Sequence, residues 1–385
     1  MQNKHAAGFA VLEIAYWCFH AAFGGFISAY LLENGMSSAM LSLISSAYLL
    51  SSFAGSFVFG GLCDRLQTNR KVFLAGVLMS AALACGIFFG ARSALFIAFL
   101  YPLFGFVSQP MGSNMDAWLL HACRSDMCIY GKIRAMPSFL YSFVAMLFGR
   151  LISFFGYQSM LFGGAFFLTL AFIAAFILPD TDGMERKPRA IRAADVRSLL
   201  AGRDYRTLLL LLFFIGCASA PLKSLKAVII ENLGGTVSDI GVDSFVGAMT
   251  QVPFILISGQ LLRMKRRARY ILMSALTGLS LLCTLCAASV GMVYAGSFFA
   301  NASYGVLLAT MRETTESSVR PELRNIGHNL SDAVYSSFSG AVSLTYAGVI
   351  AERAGVSGML LVSVATAVVP VAVSLFYREK RAAAS

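Results

Sequence analysis

Charge is the scarcest thing in this chain of 385 residues. Only 13% of it is Asp, Glu, Lys or Arg and 58% is apolar, whereas soluble domains carry about a quarter charged residues. That shortage excludes a water-soluble globular fold. Histidine is equally sparse: there are four, scattered, and none accompanies a Cys-x-x-Cys, so no zinc-ligand spacing occurs and no metal or cofactor is expected. Gly-x-Ser-x-Gly, His-Glu-x-x-His and Gly-x-x-x-x-Gly-Lys-Ser/Thr are all missing, which argues against an enzyme and against an ATP-driven pump. The eight cysteines do not form a disulfide framework. Cys18, Cys85, Cys217, Cys283 and Cys286 fall inside apolar stretches and Cys63, Cys123 and Cys128 near their ends, so free thiols are expected. The net charge of +11 does not imply nucleic acid, because the basic residues are not gathered on one folded face.

What the chain has instead is long apolar runs. Twelve can be marked, near residues 8–31, 36–62, 70–90, 93–121, 130–155, 158–179, 206–231, 236–262, 269–289, 291–313, 326–351 and 355–377, each long enough to cross a bilayer, which takes ~20 residues. The first is full-length and lacks a small-residue cleavage site, so a retained span is expected rather than a signal peptide. With the amino terminus placed in the cytosol, twenty-four of the 30 Lys and Arg residues fall in the tails and the even-to-odd gaps. Arg92 and Arg353 lie on the opposite side, and Arg134, Arg150, Lys223 and Lys226 within spans. This positive-inside bias predicts an all-α integral membrane protein of twelve transmembrane helices with both termini cytoplasmic. The basic loops then lie beside anionic lipid headgroups.

The widest hydrophilic gap runs from Pro179 to Arg206 and holds Arg186, Lys187, Arg189, Arg192, Arg197, Arg203 and Arg206. It divides the chain into a six-helix bundle at 1–179, a cytoplasmic linker at 180–205 and a second bundle at 206–385. The halves echo each other. Gly60-Gly61-Leu62-Cys63-Asp64-Arg65 closes the second span and Gly259-Gln260-Leu261-Leu262-Arg263 the eighth, 198 residues later. An internal repeat of six spans is the signature of a transporter that rocks two bundles about a midplane site.

The Gly-x-x-x-Asp-Arg loop after span two resembles the cytoplasmic signature of the major facilitator superfamily, with Gln67-Thr68-Asn69-Arg70-Lys71 where Gly-Arg-Arg is usual. Met115-Asp116-Ala117-Trp118 and Tyr130-Gly131-Lys132-Ile133-Arg134 are similar to the branch that contains lactose permease, nucleoside:proton symporters and phenylpropionate permease-like proteins, and Gln251-Val252-Pro253-Phe254 also looks like it. Asp116 and Arg134, 18 residues apart, match the carboxylate of helix four and the arginine of helix five in lactose permease. Its sugar-stacking aromatic falls on Tyr141. The resemblance implies substrate binding by these residues and a monomer without cofactors. The His and Glu that couple protons on helix ten of lactose permease have no counterparts near Asn301 and Tyr304, and its helix-eight carboxylate is absent around Gly247–Gln251.

Ionisable groups inside spans each cost at least ~2.5 kcal/mol and therefore ask for a reason. Gln109, Ser113 and Asp116 make one polar face of span four, and Arg134, Ser138 and Tyr141 one of span five. Span one carries Glu13, Trp17, His20, Gly24 and Ser28 as a stripe at helical spacing. His20 or Glu13 is a candidate for carrying a coupling proton, and Trp17 for stacking on a ring. In span seven, Lys223 and Lys226 follow the kink-prone Pro221. Lys226 is expected to snorkel to the headgroups, whereas Lys223, if it faces a cavity, favours an anion. Gln251, Asn301 and Tyr304 mark polar faces in the second half, and the serines of span eleven read as helix packing. Asp64, Arg65 and Asp332 are gating candidates.

The expected function is alternating-access symport, with protons, of a small hydrophilic solute, a sugar or nucleoside. Asp116, Arg134, Tyr141, Trp17, Lys223, Gln251, Asn301 and Tyr304 would contact it, and His20, Glu13 or Asp116 would exchange the proton. An organic or aromatic acid, or efflux, is the alternative. Compact loops point to a prokaryotic cell membrane.

Overall fold

The computed structural model describes residues 3–123, 127–180 and 193–377, and among them every regular element is helical. Arg186, Lys187, Arg189 and Arg192 of the expected linker lie outside the described residues, as do the side chains of Cys128, Tyr130 and Lys132. Ten helices are long and apolar enough to cross a membrane. Phenylalanines and leucines that a soluble protein would hide stand at their surfaces, with Phe89 77%, Leu95 86% and Phe154 82% exposed. An apolar solvent is the one in which such a surface is stable. The chain is a multi-pass membrane protein.

The first compact unit comprises Met1–Arg189 and Ser224–Ala248. It contains α1 (Asn3–Ala22), α2 (Ile27–Glu33), α3 (Ser38–Leu66), α4 (Arg70–Gly90), α5 (Ala94–Ala122), α6 (Met127–Phe155) and α7 (Gln158–Ile177). The second comprises Ala190–Lys223 and Met249–Ser385, with α8 (Ala193–Ala201), α9 (Arg203–Ser224), α12 (Ser258–Leu261), α13 (Arg266–Leu285), α14 (Val290–Ser318), α15 (Arg324–Ala333) and α16 (Ser339–Phe376). The helix α10 (Lys226–Asn232) and the start of α11 (Val237–Leu256) belong to the first unit although they follow the middle of the chain. There α11 lies against α6, where a Cβ on Gly149 would sit 3.1 Å from the Gly241 Cα.

Close approach of helices is what small residues inside a membrane permit, since no hydrophobic effect drives helices together there. The closest approach to a backbone atom is α3 on α5: a Cβ on Gly55 would stand 2.0 Å from the backbone oxygen of Phe106. Aromatic rings fill the rest of the first unit's interior. Phe9, Phe19, Phe23 and Phe104 are buried with Trp118, whose ring meets Phe9 edge-on at 5.3 Å. Tyr16 donates its hydroxyl hydrogen to the Ser108 carbonyl. In the second unit Tyr205, Leu208, Leu211, Tyr270 and Met273 form the core, and Tyr205 Oη donates to the Gly327 carbonyl at 2.7 Å.

Several spans are interrupted rather than straight. Span one breaks at a 3-10 turn, Gly24–Phe26. Span seven breaks at Leu225, four residues after Pro221, which removes a backbone donor. Span eleven passes through a π-helical segment, Val334–Phe338. The run Ile326–Phe376 is 51 residues long, but Gly355 at φ 76°, ψ 169° divides it; a residue with a Cβ is strained at that φ. The stretch 236–262 is not among the ten, because Asp239 and Asp243 lower its apolar content and α11 ends at Leu256.

The glycine contacts yield a paired expectation. Gly55→Ala drives a methyl into the Phe106 carbonyl and should lower stability by ~1–3 kcal/mol. Gly278→Ala, with nothing within 4 Å, should change it by less than about 1 kcal/mol, in the stabilising direction. Thermal unfolding of the detergent-solubilised variants decides; equal effects would remove the case for a tight α3–α5 crossing.

Candidate functional site

Four of the residues singled out in the first half lie together. Arg134 Nε on α6 is 2.9 Å from Asp116 Oδ1 on α5, with both side chains about one-third exposed (33% and 30%). The Arg134 guanidinium lies over the Trp17 ring at 5.1 Å from its centroid, within the ~6 Å at which a cation is drawn to the ring face. Trp17 Nε1 donates to Glu13 Oε2 at 3.2 Å, one turn down α1. Glu13 is fully buried, and its other carboxylate oxygen, Oε1, has no hydrogen-bond partner among the described residues. Two carboxyl groups and one guanidinium thus lie around one indole ring or beside it.

The other residues of that half are placed less directly. His20 is buried against the rings of Tyr16, Trp17 and Phe19, with centroids 5.1, 5.8 and 5.1 Å away. The 3-10 turn cuts the expected stripe after His20, and a Cβ on Gly24 would lie 3.3 Å from His20 Nδ1. Tyr141 Oη reaches the same turn, 4.0 Å from the place of a Gly25 Cβ. Gln109 Nε2 donates to Tyr48 Oη at 2.7 Å.

The gating candidates sit at helix ends. Asp64 is half-buried and Arg65 exposed near the end of α3. The turn into α4 is also held by a residue the sequence did not single out. Asp180 accepts from Thr68 Oγ1 and from the Arg70 amide, the latter at 3.3 Å. Asp332 is exposed and lies in the fields of Arg312 and His328.

In the second unit, Lys223 points inward. Its Nζ donates to Tyr335 Oη at 3.0 Å and lies 5.2 and 5.4 Å from the ring centroids of Tyr335 and Tyr304. Those two rings stack at 5.8 Å. Asn301 turns its amide onto its own helix, donating to the Ser297 carbonyl at 2.9 Å, and Gln251 is half-buried.

Lys226 does not reach for headgroups as its position near a helix end led us to expect. Its Nζ is 3.2 Å from Asp243 Oδ2, with only 14% and 9% of the two side chains exposed. The break at Leu225 is the cause: it separates the two lysines, three residues apart, into different helices, so one faces tyrosines and the other a carboxylate. Asp243 and Tyr335 were not singled out from sequence. Their partners lie 17 and 112 residues away, and no local pattern connects them. The seven described cysteines are free thiols, as expected.

A model of the MFS_1 like family matches residues 9–361. The maltose permease of Geobacillus stearothermophilus is 25% identical over 275 residues, which is 70% of this chain and 69% of that protein. Among solved structures, a mutant of the nucleoside transporter NupG is similar with a TM-score of 0.84 at 10% identity, covering 96% of this chain and 99% of that one. A bacterial homolog of the human lysosomal transporter Spinster, inward-facing and unoccupied, gives a TM-score of 0.74 at 11% identity over 96% and 95% of the two chains. At such identities the structural likeness speaks for the fold alone.

The Lys226–Asp243 pair generates its own expectation. Lys226→Met removes the cation facing a buried carboxylate and should cost about 3 kcal/mol or more, whereas Lys226→Met with Asp243→Leu should recover most of the loss. Thermal unfolding in detergent compares them; a double variant no more stable than the single would show that the pair is not a buried charge pair.

Proposed function

The chain belongs to the MFS_1 like family, within the major facilitator superfamily, and on that footing we propose that it is a proton-coupled symporter of a small hydrophilic solute, a sugar or nucleoside. The observation that carries this reading is the Glu13–Asp116–Arg134–Trp17 cluster. Relatives named for maltose and for nucleosides support the solute class.

The cluster has the parts such a task needs. Arg134 donates to a solute hydroxyl or ring oxygen and Asp116 accepts from a hydroxyl, both as charge-assisted hydrogen bonds. Trp17 and Tyr141 flank the apolar face of a sugar or base. The coupling proton rides on the Glu13–Asp116 pair. Glu13 is favoured over His20 in that role, because Glu13 holds the indole over which Arg134 lies while His20 is enclosed by rings.

Alternating access then follows from twelve helices in two six-helix bundles, 1–179 and 206–385, joined by the linker 180–205. Asp64, Arg65 and Asp332 belong to contacts remade between the two states, and Lys223, Gln251, Asn301 and Tyr304 contribute from the second half. The protein works as a monomer in a prokaryotic cell membrane with both termini cytoplasmic.

Uptake into proteoliposomes under an inward proton gradient, with labelled maltose and uridine as solutes, is the test. Asp116→Asn and Arg134→Ala should each reduce uptake roughly ten- to a hundredfold, the ~1.5–3 kcal/mol of one hydrogen bond to a charged group. Glu13→Gln should abolish accumulation driven by the pH gradient while leaving solute exchange at zero gradient. Gradient-driven accumulation by Glu13→Gln at the parental level would remove Glu13 from the coupling path, and full uptake by Asp116→Asn would remove the cluster from the binding site.

A further inference from the structure

Lys223 is a cation inside a span with nothing negative beside it. Its contacts are the Tyr335 hydroxyl and the faces of Tyr335 and Tyr304, and among the described residues it has no carboxylate partner. Two other cations inside spans, both in the first unit, are matched: Arg134 by Asp116 and Lys226 by Asp243. An ammonium in a membrane interior is costly unless paired, and two aromatic faces offset only part of that cost.

The space in front of the ammonium is a pocket of the second unit, lined by Ser219, Lys223, Thr277, Ser280, Ser303 and Tyr335. Lys223 is itself exposed. The hydroxyls of Ser219, Thr277 and Ser303 are spent on helix carbonyls: Ile215 accepts from Ser219 at 2.7 Å, and Met273 from Thr277 at 2.9 Å and from Ser303 at 2.7 Å. The Ser280 hydroxyl is different. It is buried, its residue 1% exposed, and it has no hydrogen-bond partner. A buried donor left unused is rare, and such a group is met by an ordered water, an ion or a ligand. The pocket therefore presents one unneutralised ammonium, a tyrosine hydroxyl that accepts from it and keeps its own hydrogen to donate, and an orphan serine hydroxyl.

We propose that this pocket binds the carboxylate of the transported solute, so that the solute is a polyhydroxylated monoacid, a sugar acid, rather than a neutral sugar or nucleoside. The carboxylate accepts from Lys223 Nζ and from Tyr335 Oη, and Ser280 donates to it or to a neighbouring solute oxygen. One ammonium and two hydroxyls suit a single negative charge; a phosphate, with nearly two, draws on a fork or cluster of basic groups. This inference rests on the solute class proposed above and narrows it.

Binding to the detergent-purified full chain separates the two. D-glucuronate and D-galacturonate, D-glucose, uridine and benzoate are compared by thermal stabilisation and by titration, for the parent and for Lys223→Met, Lys223→Arg and Tyr335→Phe. The expected result is stabilisation by the sugar acids, weakened about tenfold or more by Lys223→Met and less by Lys223→Arg, which keeps the charge-assisted bond. Monodispersity of each variant on size exclusion guards against misfolding. Binding of glucose or uridine but of neither sugar acid overturns the proposal and leaves the broader reading standing. Tight binding of benzoate with none by the hydroxylated compounds sinks the sugar and nucleoside reading while keeping the anion site. Sugar-acid binding unchanged in Lys223→Met, or no binding by any acid, overturns the proposal.

Discussion

Hydrocarbon offers a polar group nothing to bond with, so each charge inside this protein has to be met by the protein itself. Three of the intramembrane cations show three ways of meeting that constraint. Arg134 takes a carboxylate and an indole face, Lys226 takes one carboxylate in a nearly dry pair, and Lys223 takes only phenol groups. The gradation is informative. A pair closed on itself, like Lys226–Asp243, has little left to offer a solute. A group half-satisfied and open to a pocket retains bonding capacity that something mobile can use.

The same constraint explains where the helices break. An interrupted helix inside a membrane frees backbone groups that water cannot satisfy, so breaks survive only where protein surrounds them. The 3-10 turn at Gly24–Phe26 adjoins His20 and Tyr141, the break at Leu225 lies between the two lysines, and the π-helical segment carries Tyr335. In each case the irregular backbone coincides with the polar side chains, because the turn that departs from α geometry also re-aims them.

Much of this was legible in the sequence. The apolar runs, the loop chemistry and the shortage of charge specify a bundle of membrane helices, because their length is fixed by bilayer thickness and needs no tertiary information. Asp116 with Arg134 was legible for a similar reason: intramembrane charges are few, and two of opposite sign on consecutive spans have few other partners. Glu13 was visible as a charge but not as a neighbour of Asp116, which depends on how α1 and α5 cross. Asp180 on Thr68 spans 112 residues, and Tyr335 is one of fourteen tyrosines with nothing local to mark it. Lys226 was misread because its position along the helix was used and the break at Leu225 was not. Periodicity arguments assume an unbroken helix, and they fail one residue past the break.

The π-helical segment Val334–Phe338 has a mechanical meaning of its own. A π turn accommodates one residue more than an α turn, so the helix carries a dislocation in an otherwise regular lattice. Every side chain beyond it is turned by about 100° around the axis, the angle between successive residues of an α-helix, relative to an unbroken helix of the same register. Tyr335 lies within that segment, so the direction of its hydroxyl is set by the dislocation and not by the α-helical lattice on either side.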